Sequence, residues 1–122
     1  MIRLFLADAD LNRAIVDGFI RRNQQVYFRK AEEIPLEGLP DPEVLSIAAN
    51  RNCVLVSHDV STMPYHFRRF VTHSHSPGLV LVPQMLPVRI AIDSLNLISQ
   101  ACVPEDLAQK ICLVPSLSIY GS

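Results

Sequence analysis

Ile2-Arg3-Leu4-Phe5-Leu6-Ala7-Asp8-Ala9-Asp10-Leu11-Asn12 is the stretch on which the reading of this chain turns. Five of the six residues from Ile2 to Ala7 are apolar, without alternation, and the run stops at two carboxylates. Such a run predicts a strand buried on both faces, as in a parallel sheet. In open α/β sheets ligands bind beyond the carboxyl ends of the strands. Asp8 falls at such an end, and Asp10 stands where it could cap a following helix.

The same logic extends along the chain. Leu11 to Asn23 has apolar residues at helical spacing, and Gln25–Arg29 reads as a second strand. Lys30–Gly38 is a connector with room for a short helix. Asp41-Pro42-Glu43 carries helix-start signals and leads into Val44, Leu45, Ile47 and Ala48. Cys53–Ser57 is a second buried strand, ending in Ser57-His58-Asp59. A short helix lies within Ser61–Phe70, with Pro64 interrupting it early, and Thr72–Gly78 is a polar loop. Gly78–Pro83 is a further strand, Pro87–Ala101 an amphipathic helix, Pro104–Leu107 a helical turn, and Ile111–Val114 a last strand before a loose tail. Alternating strands and helices predict right-handed βαβ units and a mainly parallel sheet with helices on both faces.

At 122 residues the chain makes one domain, residues 1–122. Its 49% apolar and 19% charged residues suit a globular fold. A net charge of −1 gives no global basic field, so any nucleic-acid contact must come from a local patch. No apolar run approaches the roughly 20 residues that span a bilayer, so no membrane partner and no export signal are expected. Cys53, Cys102 and Cys112 lie in apolar stretches without paired spacing, which suggests core residues in a reducing cytoplasm. With four glycines there is no glycine-rich phosphate loop.

Three acidic positions form the candidate constellation: Asp8, Asp59, and Asp41 with Glu43. Neighbouring strands would bring Asp8 and Asp59 into one crevice. Chain order by itself puts Asp41 near the opposite rim, unless the long connector returns it. Clustered carboxylates repel, and need a cation between them or raised pKa values. Hard oxygen donors suit Mg²⁺ or Mn²⁺, which can activate water against a phosphodiester. Each acid also has a plainer role: Asp8, Asp10, Asp41 and Asp59 as caps, Glu43 as complement to a helix dipole. His73 and His75 share a loop while His58 and His66 stand elsewhere, a pattern better suited to exposed loop residues than to a metal site. Adjacent strand side chains face opposite ways, so Ser57-His58-Asp59 is no hydrolase triad. Arg13, Arg68 and Arg69 are either solvated surface or phosphate contacts beside the crevice.

The motifs Leu6-Ala7-Asp8-Ala9-Asp10-Leu11-Asn12, Gly38-Leu39-Pro40-Asp41-Pro42-Glu43-Val44-Leu45, Val54-Leu55-Val56-Ser57-His58-Asp59 and Pro77-Gly78-Leu79-Val80-Leu81-Val82 together resemble the PIN-like DUF5615 family, over nearly the whole chain. That family is related to the PIN-domain ribonucleases, including VapC-type toxins. The resemblance implies a Rossmann-like α/β domain with an acidic Mg²⁺- or Mn²⁺-binding site formed by Asp8, Asp59, and Asp41 or Glu43. It also implies that the connector returns the start of the central helix to the site. Two positions depart from the family pattern. Asp-Glu-Asn becomes Asp8-Ala9-Asp10, and Asp-x-Asp-Phe becomes Asp59-Val60-Ser61-Thr62.

The expectation is therefore a metal-dependent ribonuclease, the toxin of a toxin–antitoxin pair, with RNA as substrate. An antitoxin protein and a second copy of the chain are the other candidate partners. Asp8, Asp41 and Asp59 are the candidate catalytic residues. Asp10, Ser57 and Ser61 support them, and Arg13, Arg68 and Arg69 contact RNA. The alternative is a non-catalytic protein- or nucleic-acid-binding domain of the same fold.

Overall fold

The computed structural model describes residues 1–29 and 35–121. Its elements follow in chain order: β1 (Leu4–Ala7), α1 (Arg13–Arg22), β2 (Tyr27–Arg29), α2 (Asp41–Asn50), β3 (Val54–Ser57), α3 (Met63–Val71), β4 (Leu79–Leu81), α4 (Val88–Ala101), α5 (Pro104–Leu107), β5 (Lys110–Leu113) and β6 (Ser118–Gly121). They make a mixed α/β fold on one six-stranded sheet of order β2-β1-β3-β4-β5-β6. The first five strands are parallel, and β6 is antiparallel to β5.

Alternation along the strands divides the core into two layers. Phe5, Ala7, Val54, Val56, Val80, Val82 and Cys112 face α1 and α4. Leu6, Leu55, Leu79, Leu81 and Ile111 face α2 and α3. Phe5, Phe19 and Phe28 form a three-ring cluster between β1, α1 and β2, with centroids 5.4–5.6 Å apart. α1 and α4 touch closely at Gly18, where a Cβ would come within 2.4 Å of Ile92 Cδ1. Arg22 and Asp93 add a 2.6 Å surface ion pair between the same helices, a minor contribution next to the buried area.

Several expectations are corrected. The stretch after β5 is not a loose tail: the chain turns at Leu117, with φ +58°, and pairs back on β5 as β6. Pro64 does not interrupt α3 but sits in its first turn, where a missing N–H costs nothing. The four crossovers do not share one hand. The steps β3 to β4 and β4 to β5 go the same way across the sheet, yet α3 covers one face and α4 the other. Placed on α1's face, α4 covers Val80, Val82, Cys112 and Val114, which would otherwise be bare. The short helix expected in Lys30–Gly38 falls largely on residues 30–34, outside the described residues. Among the described residues no helix is long and apolar enough to cross a membrane.

Phe5 is wholly buried at the centre of the ring cluster. Phe5→Ala is expected to cost about 3–5 kcal/mol, read as a lower urea midpoint at unchanged slope.

Candidate active site at the carboxyl edge

Strand order sets where the crevice lies. From β1 the chain steps to β2 on one side, then crosses back to β3 on the other. The loops after β1 and β3 therefore diverge, and their separation opens the crevice typical of a topological switch point. Asp8 follows β1 there, and Ser57, His58 and Asp59 close β3.

Asp8 and Ser57 extend the strand alternation on the face of Leu6 and Leu55. The Ser57 hydroxyl donates to Asp8 Oδ2 at 2.8 Å, while the Asp59 N–H donates to Ser57 Oγ at 3.0 Å. The buried Ser57 thus joins the two acids. Asp8 Oδ1 accepts the Ala9 N–H at 2.8 Å, so neither Asp8 oxygen caps α1. That cap is Asn12, whose Oδ1 accepts from Ala14 N at 2.9 Å, and not Asp10.

Asp59 holds the start of α3. Its Oδ1 accepts the N–H groups of Ser61 (3.0 Å) and Thr62 (2.8 Å), and its Oδ2 accepts the Thr62 hydroxyl. Burial pushes the Asp59 carboxyl up, but the Thr62 hydroxyl and the amides of Thr62, Ser61 and Met63 outweigh it and hold the pKa below the ordinary value. Asp59 therefore fixes the turn that leads into α3 without being its N-cap, which is Thr62, and Ser61 contributes through its backbone.

Asp41 lies at the carboxyl edge, contrary to the reading from chain order. A crossover helix runs antiparallel to the strands it joins, so α2 begins where β2 ends. Asp41 is the first residue of α2 and does not cap it. Its Oδ2 instead stands 3.5 Å from Thr62 Oγ1 and 4.0 Å from His66 Nε2. Burial first, then the charges of Asp59 and Asp8, raise its pKa, against His66 and the Thr62 hydrogen bond. Asp10 is likewise raised, by burial of its carboxyl and then by Asp8, with the backbone N–H of His58 opposing. Asp8, Asp10, Asp41 and Asp59 thus share one electrostatic neighbourhood. Glu43 is exposed two residues beyond Asp41 and so faces another side of α2.

His58 is the site residue that the sequence hid. It is not an exposed loop histidine but 6% exposed. Its Nδ1 lies 2.7 Å from the Val82 carbonyl, and its Nε2 accepts the Asn12 N–H at 3.1 Å. An acceptor at Nδ1 and a donor at Nε2 select the neutral Nδ1–H tautomer. The ring therefore ties the entry of α1 to the end of β4, beneath the acids. His73 and His75 are exposed, as expected. Arg13 starts α1 near the crevice and pairs with Asp17 at 3.7 Å. Arg68 and Arg69 lie in the last turn of α3, about 8–9 Å along the helix from its first residue, Met63. Among the described residues no three Asp, Glu, His or Cys side chains stand together as a ready metal cage. The donor set itself is hard carboxylate oxygen, which suits Mg²⁺ or Mn²⁺.

Opposite effects are expected within this one cluster. A carboxyl whose folded pKa is raised loses stability as pH rises from the unfolded value through the folded one. Asp41→Asn should therefore stabilise the protein at pH 7 by a few tenths of a kcal/mol, a gain that disappears below about pH 4, where the unfolded carboxyl also holds its proton. Asp59→Ala should destabilise by about 1 kcal/mol through loss of the helix start. Melting in EDTA across pH 3–8 reads both. His58→Ala leaves the Asn12 N–H and Val82 carbonyl without their partner and should cost about 2 kcal/mol or more in the same assay.

A scan against protein-family models and searches of curated proteins and of solved structures found no match to this chain.

Proposed function

We propose that this chain is a divalent-metal-dependent ribonuclease of PIN-like, Rossmann-like type, acting as the toxin of a toxin–antitoxin pair. One observation carries the reading. Ser57 links Asp8 to the Asp59 backbone and the Thr62 hydroxyl stands between Asp59 and Asp41 at the switch-point crevice, and the nearby charges of Asp8 and Asp59 help to raise the pKa values of Asp10 and Asp41. A protein that gathers like charges at a strand-end crevice gives up stability there, and a bound divalent cation would return it.

Asp8, Asp41 and Asp59 would hold the cation, with Glu43 in reach only through a change of rotamer or a bridging water. When bound, Mg²⁺ or Mn²⁺ would supply an activated water and neutralise charge on a phosphodiester. The chain's own residues orient the donors. Ser57 and the Ala9 N–H each take one lone pair of the Asp8 carboxylate and hold its orientation, which leaves about two more for a cation. Thr62 and the α3 amides fix Asp59, and His66 flanks Asp41. Asp10 adds negative charge beside Asp8. Arg13, at the entry of α1, is placed to meet a phosphate at the rim.

Calorimetry with Mn²⁺ and incubation with single-stranded RNA test the reading. Wild type is expected to bind Mn²⁺, to gain thermal stability from it and to cut RNA in an EDTA-sensitive way. Asp8→Asn should lose both binding and cleavage. Ser57→Ala, which releases the Asp8 rotamer, should weaken Mn²⁺ roughly 10–100-fold. Wild type that ignores Mn²⁺ refutes the enzyme. Wild type that binds Mn²⁺ but leaves RNA intact favours a binding domain of this fold.

A further inference from the structure

α3 begins at the acidic crevice and ends away from it. Asp59 fixes its first turn, and nine residues, Met63 to Val71, carry it about 13 Å back along the sheet. Its inner face is Met63, Phe67 and Phe70, buried against the sheet. Its outer face is Tyr65, His66, Arg68 and Arg69, and the helix has no acid at all.

These outer residues form a connected line. Asp41 Oδ2 lies 4.0 Å from His66 Nε2. The His66 and Tyr65 rings meet edge to face with centroids 5.3 Å apart. The Arg69 guanidinium sits over the Tyr65 ring at 5.6 Å. Beyond them Tyr65, Arg68, Arg69, Thr72 and His73 line one shallow concavity. Tyr65 is 56% exposed despite its large aromatic ring. A wet aromatic ring held beside two guanidinium groups, continuous with a phosphodiester-cutting crevice, combines a stacking platform with phosphate contacts.

We infer that the outer face of α3 is a single-stranded RNA track leading into the carboxylate crevice. An unpaired base stacks on Tyr65, and Arg68 and Arg69 take the flanking phosphates. The substrate class rests on the ribonuclease reading, but the track itself is independent of catalysis. Bases within a duplex are already stacked and cannot reach the ring, so the track selects single strands. Stacking is tolerant of sequence, so it fixes the strand's position rather than a recognition sequence. His66, between Tyr65 and Asp41, marks where the strand passes from the platform to the acids.

Binding in EDTA separates the track from the chemistry. The full chain is titrated into a fluorescently labelled single-stranded RNA and followed by anisotropy, with circular dichroism and melting as fold controls. Tyr65→Ala is expected to weaken binding about tenfold, while Tyr65→Phe, which keeps the ring, stays close to wild type. Arg68→Ala with Arg69→Ala should flatten the dependence of log affinity on log salt by about 0.7 for each phosphate that is no longer neutralised. Asp8→Asn, should it abolish cleavage, is expected to leave this binding in place. The track is overturned if wild type binds no RNA, if Tyr65→Ala binds as wild type does, or if a duplex of equal length binds as tightly. RNA that binds through Tyr65 yet is never cut refutes the ribonuclease and leaves the track standing.

Discussion

The hydrogen bond from Ser57 to Asp8 spans 49 residues and closes the seam between β1 and β3. The strands on either side are among the most deeply buried in the sheet: Phe5, Leu6, Leu55 and Val56 are inaccessible to solvent. The site is built on the loops that directly follow these buried strands and on the first residue of α2. Each acid then meets a different local field. Asp59 is stabilised by helix amides, Asp8 by one hydroxyl and one amide, and Asp41 by a shared threonine and a histidine at 4.0 Å. Asp10 has the backbone N–H of His58 set against burial and Asp8. This gradation decides which carboxylates remain charged most readily and which carry the strain of crowding.

The elements that the sequence revealed are those whose signal is local. Unalternating apolar runs located β1, β3, β4 and β5, because strands buried on both faces admit little else. The elements it concealed depend on partners distant in the chain. β6, Ser118-Ile119-Tyr120-Gly121, is exposed along its whole length, so it carries no buried apolar run to declare it without β5 beside it. His58 follows an apolar run just as an exposed loop residue might, and its burial depends on Val82 and Asn12, 24 and 46 residues away. Asp10 and Asn12 are equally good capping types, so composition could not choose between them. Asp41 was misplaced by counting along the chain instead of following direction, since a crossover helix must start at the edge where the preceding strand ends. The face taken by α4 depended on which bare apolar surface remained, which only the assembled sheet defines.

Two devices hold the crevice open in a defined shape. His58 anchors α1's entry to β4 from below, with its tautomer selected by both neighbours. Asp59 anchors α3 from the side, using a carboxylate that the proposed cation would also need. A carboxylate has about four lone-pair positions, and this hydrogen bonding engages them all on Asp59, through the amides of Ser61, Thr62 and Met63 and the Thr62 hydroxyl, so the proposed cation would displace one of these donors. The same hydrogen bonds remove rotational freedom, and a ligand already immobilised loses less entropy when it binds. Metal ligation by Asp59 therefore requires one of these hydrogen bonds to open, while the others keep the carboxylate oriented toward the crevice.

Ala9 and Asp10 can be weighed in the same terms. Against the Asp-Glu-Asn pattern that the first motif resembles, Ala9 removes one carboxylate and Asp10 supplies another. Asp10 does not serve as the cap of α1, a role that falls to Asn12. Its carboxyl instead feels the charges of both Asp8 and Asp59. Within this first motif one carboxylate is exchanged for another one residue on, while Ser61 stands where the second pattern has an acid, so the crevice holds one carboxylate fewer than those patterns would give it. For the proposed enzyme that difference matters. Charge count governs how strongly a divalent cation is attracted, whereas the position of each oxygen governs how many ligands reach it. With one carboxylate fewer, both the attraction of the cation to the crevice and the number of ligands that reach it should fall.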